Sequence, residues 1–161
     1  MLIHLLRHGD ASSDSRYHDS ERPLTELGVK QAAFVGKYLQ SNSIRIDTIY
    51  ASPLTRAQQT ADIVRSHIGG PAVLTTEYLV NGTNQRQLFS QLEQINSSSV
   101  LLVGHIPHLA ETAMLLMGDN TEELDFRKCT LASIDIPLPI RSGMGILKRH
   151  MHVKEIEAQY S

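Results

Sequence analysis

Sulfur chemistry is nearly absent: Cys129 is the one cysteine in 161 residues. A lone cysteine excludes an internal disulfide and a thiolate metal cage, suits a reducing compartment, and reads as a small buried thiol. Long hydrophobic runs are missing too. The apolar stretch of MLIHLLRHGD is too short for a signal peptide or a membrane span and is broken by His4, so a cytoplasmic location is expected. Nor does one charge dominate. Fifteen Lys and Arg against 17 Asp and Glu leave a formal net charge of -2, with no general pull toward nucleic acid or an anionic membrane. Any anion site must therefore be built locally. No repeat, low-complexity tract or composition break divides the chain, so residues 1–161 read as one domain, expected as a monomer. Its 41% of hydrophobic residues is enough for one sizeable core.

What is present is alternation. Leu2 to Leu6 is mostly apolar and runs into Arg7, His8 and Gly9, a short buried strand ending at a glycine turn. After a polar stretch from Asp10 to Arg22, Thr25 is placed to cap a helix to about Leu39, with Leu24 and Val29 positioned as a hydrophobic staple. Ile46 to Ala51 predicts a second strand, and Ser52 and Pro53 have the chemistry of an N-cap and first helical position. Leu54, Ala57, Ala61, Val64 and Ile68 then recur at helical spacing until Gly69 and Gly70. Val73 to Leu79 is a strand candidate, and Leu88, Phe89, Leu92 and Ile95 mark one face of a third helix. Val100 to Val103 is a fourth strand ending at Gly104 and His105, and Leu109, Ala113, Leu116 and Met117 carry a helix to Gly118. Lys128 to Ile136 and Gly145 to Ile156 are strand-like around a turn at RSGMG, predicting a hairpin at a sheet edge. The pattern predicts an α/β fold: a three-layer α/β/α sandwich with a mainly parallel central sheet and ligands beyond the carboxyl ends of its strands.

Arg7, His8, Arg56 and His105 all fall near that edge. Arg-His-Gly alone says little, because a histidine at a strand end often just caps backbone groups. Convergence makes the case. Arg56 is expected one turn into the helix after the second strand, and His105 at the start of the helix after the fourth, so three loops deliver cationic or imidazole groups to one place. A planar guanidinium holds two phosphate oxygens at once, and a helix N-terminus offers free N–H donors, of which Ile106 supplies one.

The motifs LLRHGDA at 5–11, RPLTELG at 22–28, SPLTRAQQTA at 52–61 and VGH at 103–105 occur in this order across nearly the whole chain. Together they resemble the histidine phosphatases, the phosphoglycerate mutase-like superfamily. The resemblance implies a phosphoglycerate mutase-like fold, His8 as nucleophile, Arg7 and Arg56 on phosphate oxygens, and His105 as second histidine of the phosphate pocket. The RPLT element, the short length and the RHGDA start are most similar to SixA-type phosphohistidine phosphatases. That implies a phosphohistidine on a phosphotransfer protein as substrate, with Gly9, Arg22 and Ile106 bordering the phosphate. A neutral imidazole is a good nucleophile near neutral pH and carries a phosphoryl group until water removes it, a sequence that calls for neither metal nor cofactor.

Other candidates have plainer readings. His105 and His108, or His150 and His152, could face one metal, but neither pair has a third ligand at a recognisable spacing, and they read as solvated or capping histidines. Asp10 is a turn former that could also orient His8 or donate a proton. TEELDFRK at 121–128 mixes both signs and reads as a solvated face rather than a docking patch. Two rivals stay open: a phosphomonoesterase or mutase for a small metabolite, and a non-catalytic phosphoprotein-binding module. Few residues are spare between the motifs, which implies an open pocket suited to a side chain presented on a protein surface. Esterase and mutase members of the superfamily use a glutamate in a pattern like Glu-Leu-x-Glu to protonate the departing alcohol. Here TEYLVNG at 76–82 puts Asn81 in that place, with Glu77 nearby and out of register, and Glu77 or Asp10 as the substitutes for the acid. An amide gives up no proton, so alcohol esters should be poor substrates, whereas the imidazole leaving group of a phosphohistidine takes its proton from solvent.

Overall fold

The computed structural model describes residues 1–118 and 122–160; Thr121, which opens the TEELDFRK run, lies outside them. Six strands form one sheet, β1 (Leu2–Arg7), β2 (Thr48–Ala51), β3 (Val73–Thr75), β4 (Ser99–Gly104), β5 (Leu131–Asp135) and β6 (Ile146–Met151), in the order β3-β2-β4-β1-β5-β6. The first four are mutually parallel, and β5 and β6 run antiparallel at one edge. Hence the sheet is mixed but mainly parallel, with the expected hairpin at its edge.

Period-two alternation along the central strands divides the core between two faces. Ile3 and Leu5 pack with Val100 and Leu102 on one face, under α3 (Gln85–Glu93) and α4 (His108–Met117). Leu6, Leu101 and Val103 pack on the other, under α1 (Glu26–Ser41), α2 (Thr55–Ile68) and α5 (Val153–Glu157). This is the three-layer sandwich. β4 is buried at every position, because parallel strands covered on both faces need no polar alternation.

Several boundaries moved for local reasons. Thr25 caps α1 as expected, its hydroxyl accepting from the Gly28 N–H at 3.1 Å, but Val29 is exposed and makes no buried staple with Leu24. α2 starts at Thr55 with Leu54 as N-cap, so Ser52 and Pro53 precede the helix. The Ser52 side chain instead accepts from the Leu54 N–H at 3.3 Å. Gly69 ends α2 in the left-handed region at φ 80°. The Val73 to Leu79 stretch divides into β3 and a 3-10 turn at Glu77–Leu79. The tail departs most: after β6 the chain turns helical. The Glu155 carboxylate accepts from the His152 N–H at 2.8 Å, and Val153 and Ile156, three apart, go into the core beneath α1. Strand-like residue types lost there to a capping contact and helical burial.

Candidate functional site

The carboxyl ends of β1 and β4 are neighbours, with Arg7 opposite Gly104 in register. The next residues stay in step, because the His8 N–H donates to the Gly104 carbonyl at 3.1 Å. His8 and His105 are thereby set side by side, ring centroids 5.0 Å apart, both buried. Arg56, the second residue of α2, is buried as well, and Arg7 half-buried. Among the described residues, four buried side-chain atoms lack a hydrogen-bond partner. Three of them belong to this cluster: Arg7 Nε, Arg56 Nε and His105 Nδ1. Buried donors are normally paired, so this concentration points to a place made to receive an acceptor-rich group.

His8 is poised in a defined tautomer. Its Nδ1 lies 2.7 Å from the Gly9 carbonyl, which only accepts, so Nδ1 carries the proton and Nε2 keeps its lone pair. Burial, reinforced by His105, Arg56 and Arg7, pushes the His8 pKa down to about 3. Burial and Arg56 push His105 down to about 4. Both rings are neutral at physiological pH. His105 Nε2 lies 2.8 Å from the hydroxyl of fully buried Ser52. The arrangement that uses every group has Ser52 accepting from Leu54 and donating to Nε2, which leaves His105 Nδ1–H as a free donor.

The remaining predicted residues are placed one by one. Arg22 reaches the site through Asp19: its Nε and Nη2 donate to Asp19 Oδ1 at 3.1 and 3.0 Å, while Arg56 Nη1 donates to the Asp19 carbonyl at 2.7 Å. Gly9 does not offer a donor, because its N–H is engaged by Thr60 Oγ1 at 3.1 Å. Its role is close packing: a Cβ there would lie 2.7 Å from the Gly28 carbonyl oxygen, and one on Gly28 would lie 2.1 Å from that of Asp10. Only glycine pairs allow the His8 turn to sit this tightly on α1. Ile106 directly follows His105, but α4 begins at His108, so Ile106 precedes the helix instead of opening it. Asp10 accepts from Thr25 at 2.7 Å and pairs with Lys128 at 3.3 Å, contacts that hold its carboxyl below the usual range. An ionised Asp10 is no proton donor.

Asn81 is committed to backbone. Its Nδ2 donates to the Ile106 carbonyl at 2.8 Å and its Oδ1 accepts from the His108 N–H at 3.2 Å, so it clamps the turn that carries His105. His108 neighbours Thr83 and Thr112, His150 donates to the Asp125 carbonyl, and His152 neighbours Thr130. Among the described residues no group of three His, Cys, Asp or Glu side chains is placed to hold a metal ion. Cys129 is fully buried as expected, and burial pushes its thiol up to about 12.

Sequence reasoning missed Ser52, Thr60 and Asp19. Thr60 joins the turn after β1 to the first turn of α2, its hydroxyl donating to the Arg56 carbonyl at 2.7 Å while it accepts from Gly9. Ser52 was read as a helix cap, and Asp19 was one polar residue in a polar stretch; neither carries a local signal for its partner.

Known proteins share both the sequence pattern and the fold. The model of the histidine phosphatase superfamily (branch 1) matches residues 3–80. The phosphohistidine phosphatase SixA of Escherichia coli K12 is 26% identical over 165 residues, 94% of this chain and 93% of that protein. An uncharacterised protein of Picosynechococcus is 29% identical over 93% of this chain and 90% of its own length. A solved structure of the protein histidine phosphatase SixA complexed with tungstate superposes with a TM-score of 0.88 over 97% of this chain and 99% of that one. At 24% identity that likeness speaks for the fold, which is phosphoglycerate mutase-like.

Proposed function

We propose that the chain, which matches the histidine phosphatase superfamily model over residues 3–80 and is similar to SixA along most of its length, is a phosphohistidine phosphatase working through a covalent phosphohistidine on His8. One observation carries this: a buried neutral imidazole with Nδ1–H on the Gly9 carbonyl has its Nε2 lone pair free, beside guanidiniums and an imidazole with unpaired donors. In the first step Nε2 forms a bond to phosphorus as the bond from phosphorus to the substrate imidazole breaks. The departing nitrogen takes its proton from solvent. In the second step water attacks the phosphoryl group, releasing inorganic phosphate and neutral His8. Negative charge spreads over three equatorial oxygens in each step, so Arg7, Arg56 and His105 Nδ1–H act by electrostatic preorganisation, with Arg22 and the Ile106 N–H at the rim. Charge stabilisation of this kind asks for no metal ion. Similarity to SixA suggests a histidine-containing phosphotransfer protein as partner.

Substrate preference is read from two places where an acid would be sought, Asp10 and Asn81. Asp10 is ionised and Asn81 has no acidic proton, so an alkoxide leaving group finds no donor in either. General acid catalysis contributes about 10²-fold to 10⁴-fold, and we therefore expect kcat/KM for phosphohistidine to exceed that for serine or sugar phosphates by at least about 10²-fold. Comparable values at neutral pH would favour a general phosphomonoesterase. Because both ends of the Asn81 amide hold the turn beside His105, Asn81→Glu should loosen that turn as well as add an acid, and esterase gain is not its expected outcome.

A further inference from the structure

A groove of about 350 Å³ opens next to the cluster, between Ile106, Pro107 and Ala110 on one side and the segment from Glu123 to Phe126 on the other. Its lining adjoins residues of the cluster at two points. Ile106 directly follows His105, and the Phe126 carbonyl accepts from Arg7 Nη1 at 3.0 Å. The floor is apolar, with Ala110 and Phe126 buried, Leu124 half-buried, and Ile106 exposed at the lip.

Charge is what makes the groove selective. Among the described residues its only charged lining residues are Glu123 and Asp125. Asp125 is paired with Arg127 at 2.9 Å, whereas Glu123 is exposed and pairs with no cation among the described residues. Exposed Glu122 lies next in the chain. A cationic phosphate site therefore borders an apolar shelf with an acidic edge. A small phosphorylated metabolite gains nothing from that edge, since carboxylates repel an anion. The shelf serves a substrate that extends past its phosphoryl group, is apolar there and bears positive charge.

Resting on the phosphohistidine reading above, we infer that this groove docks the substrate protein, and that it takes an apolar protein surface with lysine or arginine beside the phosphohistidine. The run 121–128, read from sequence as a solvated face, is in the fold two-sided from Glu122 onward: Leu124 and Phe126 turn inward while Glu123 and Asp125 stay out.

The test uses three probes: free phosphohistidine, a phosphohistidine peptide flanked by leucine and lysine, and the same peptide with glutamate for lysine. At low ionic strength the protein should show kcat/KM about fivefold higher for the lysine peptide, as expected for exposed charge pairs. Salt should narrow the gap. Glu123→Lys, an exposed change, should reverse the preference and leave free phosphohistidine hydrolysis untouched. Equal rates on the two peptides with free phosphohistidine still hydrolysed, or a preference that survives Glu123→Lys, would overturn the docking surface alone. Failure to hydrolyse all three probes would overturn the phosphatase reading and the docking surface together.

Discussion

Two buried histidines lie four residues apart on and just past the same strand, and both are pushed down by burial and by a nearby arginine, yet the groups gathered around them differ. His4 sits in the middle of β1, its Nδ1 2.6 Å from the hydroxyl of Ser133 on the neighbouring β5. Burial, with a smaller push from Arg149, brings its pKa down to about 4. His8 stands just past the strand end, pushed down to about 3, where the sheet gives way to loops that bring in Arg7, Arg56 and His105. A depressed pKa is thus common to both and distinguishes neither. The second ingredient does: unpaired cationic donors gather around His8, whereas His4 has strands on either side and a hydroxyl for company. Neutrality comes from burial anywhere in the molecule, but use of the freed lone pair needs the carboxyl edge of the sheet.

The widest gap between the two should be in turnover. His8→Ala should lower kcat for a phosphohistidine substrate by at least about 10³-fold and abolish acid-quenched phosphoryl labelling, while His4→Gln should leave both intact. Labelled His8→Ala protein would remove His8 as nucleophile and dissolve the contrast. Next in size, Arg7→Ala and Arg56→Ala should each lower turnover by about 10²-fold, the usual loss for one preorganised donor. Steady-state kinetics would decide, and near-normal activity in either variant would take that arginine out of the pocket. Arg56 is buried and holds the Asp19 turn, so its variant should also lose some thermal stability. A smaller step, about tenfold in kcat, is expected for Ser52→Ala, which removes one hydrogen bond to His105 and frees the ring to rotate. An unchanged kcat would mean that packing alone orients His105.

The same contrast separates what the sequence announces from what it conceals. Strand–glycine–histidine and strand–turn–helix patterns are local, so the sheet, its hairpin and the meeting of Arg7, His8, Arg56 and His105 were legible residue by residue. Roles set by partners far along the chain were not. Thr60 serves Gly9 from 51 residues away and Ser52 serves His105 from 53, so no window of sequence contains either pair. Gly9 shows the opposite case: it stands inside a motif, which invites a phosphate role, while its N–H is already engaged by Thr60 and a Cβ there would meet the Gly28 carbonyl. The tail misled through composition, since β-branched residues such as Val153 and Ile156 suit a strand until a capping contact decides otherwise.

The last comparison turns on pH and is the one in which His4 and His8 should behave alike. A histidine buried as the neutral base has a folded pKa below its unfolded value of about 6.5, so the unfolded chain binds the extra proton. The sign follows: its contribution to stability is fully present above about pH 6.5 and is lost as pH falls through the interval toward the folded pKa, about 4 for His4 and about 3 for His8. Within that interval each such group should steepen acid destabilisation by about 1.4 kcal/mol per pH unit. Urea unfolding between pH 7 and 4.5 should therefore show a shallower decline for His4→Gln and for His8→Gln than for the wild type. The activity profiles should part company, because only His8 is proposed to use its neutrality for chemistry: wild type and His4→Gln should share a kcat/KM with no acid limb from the nucleophile near pH 6.5. A His4→Gln protein that keeps the full wild-type pH slope would show that His4 is protonated in the folded state, and the symmetry between the two buried rings would end there.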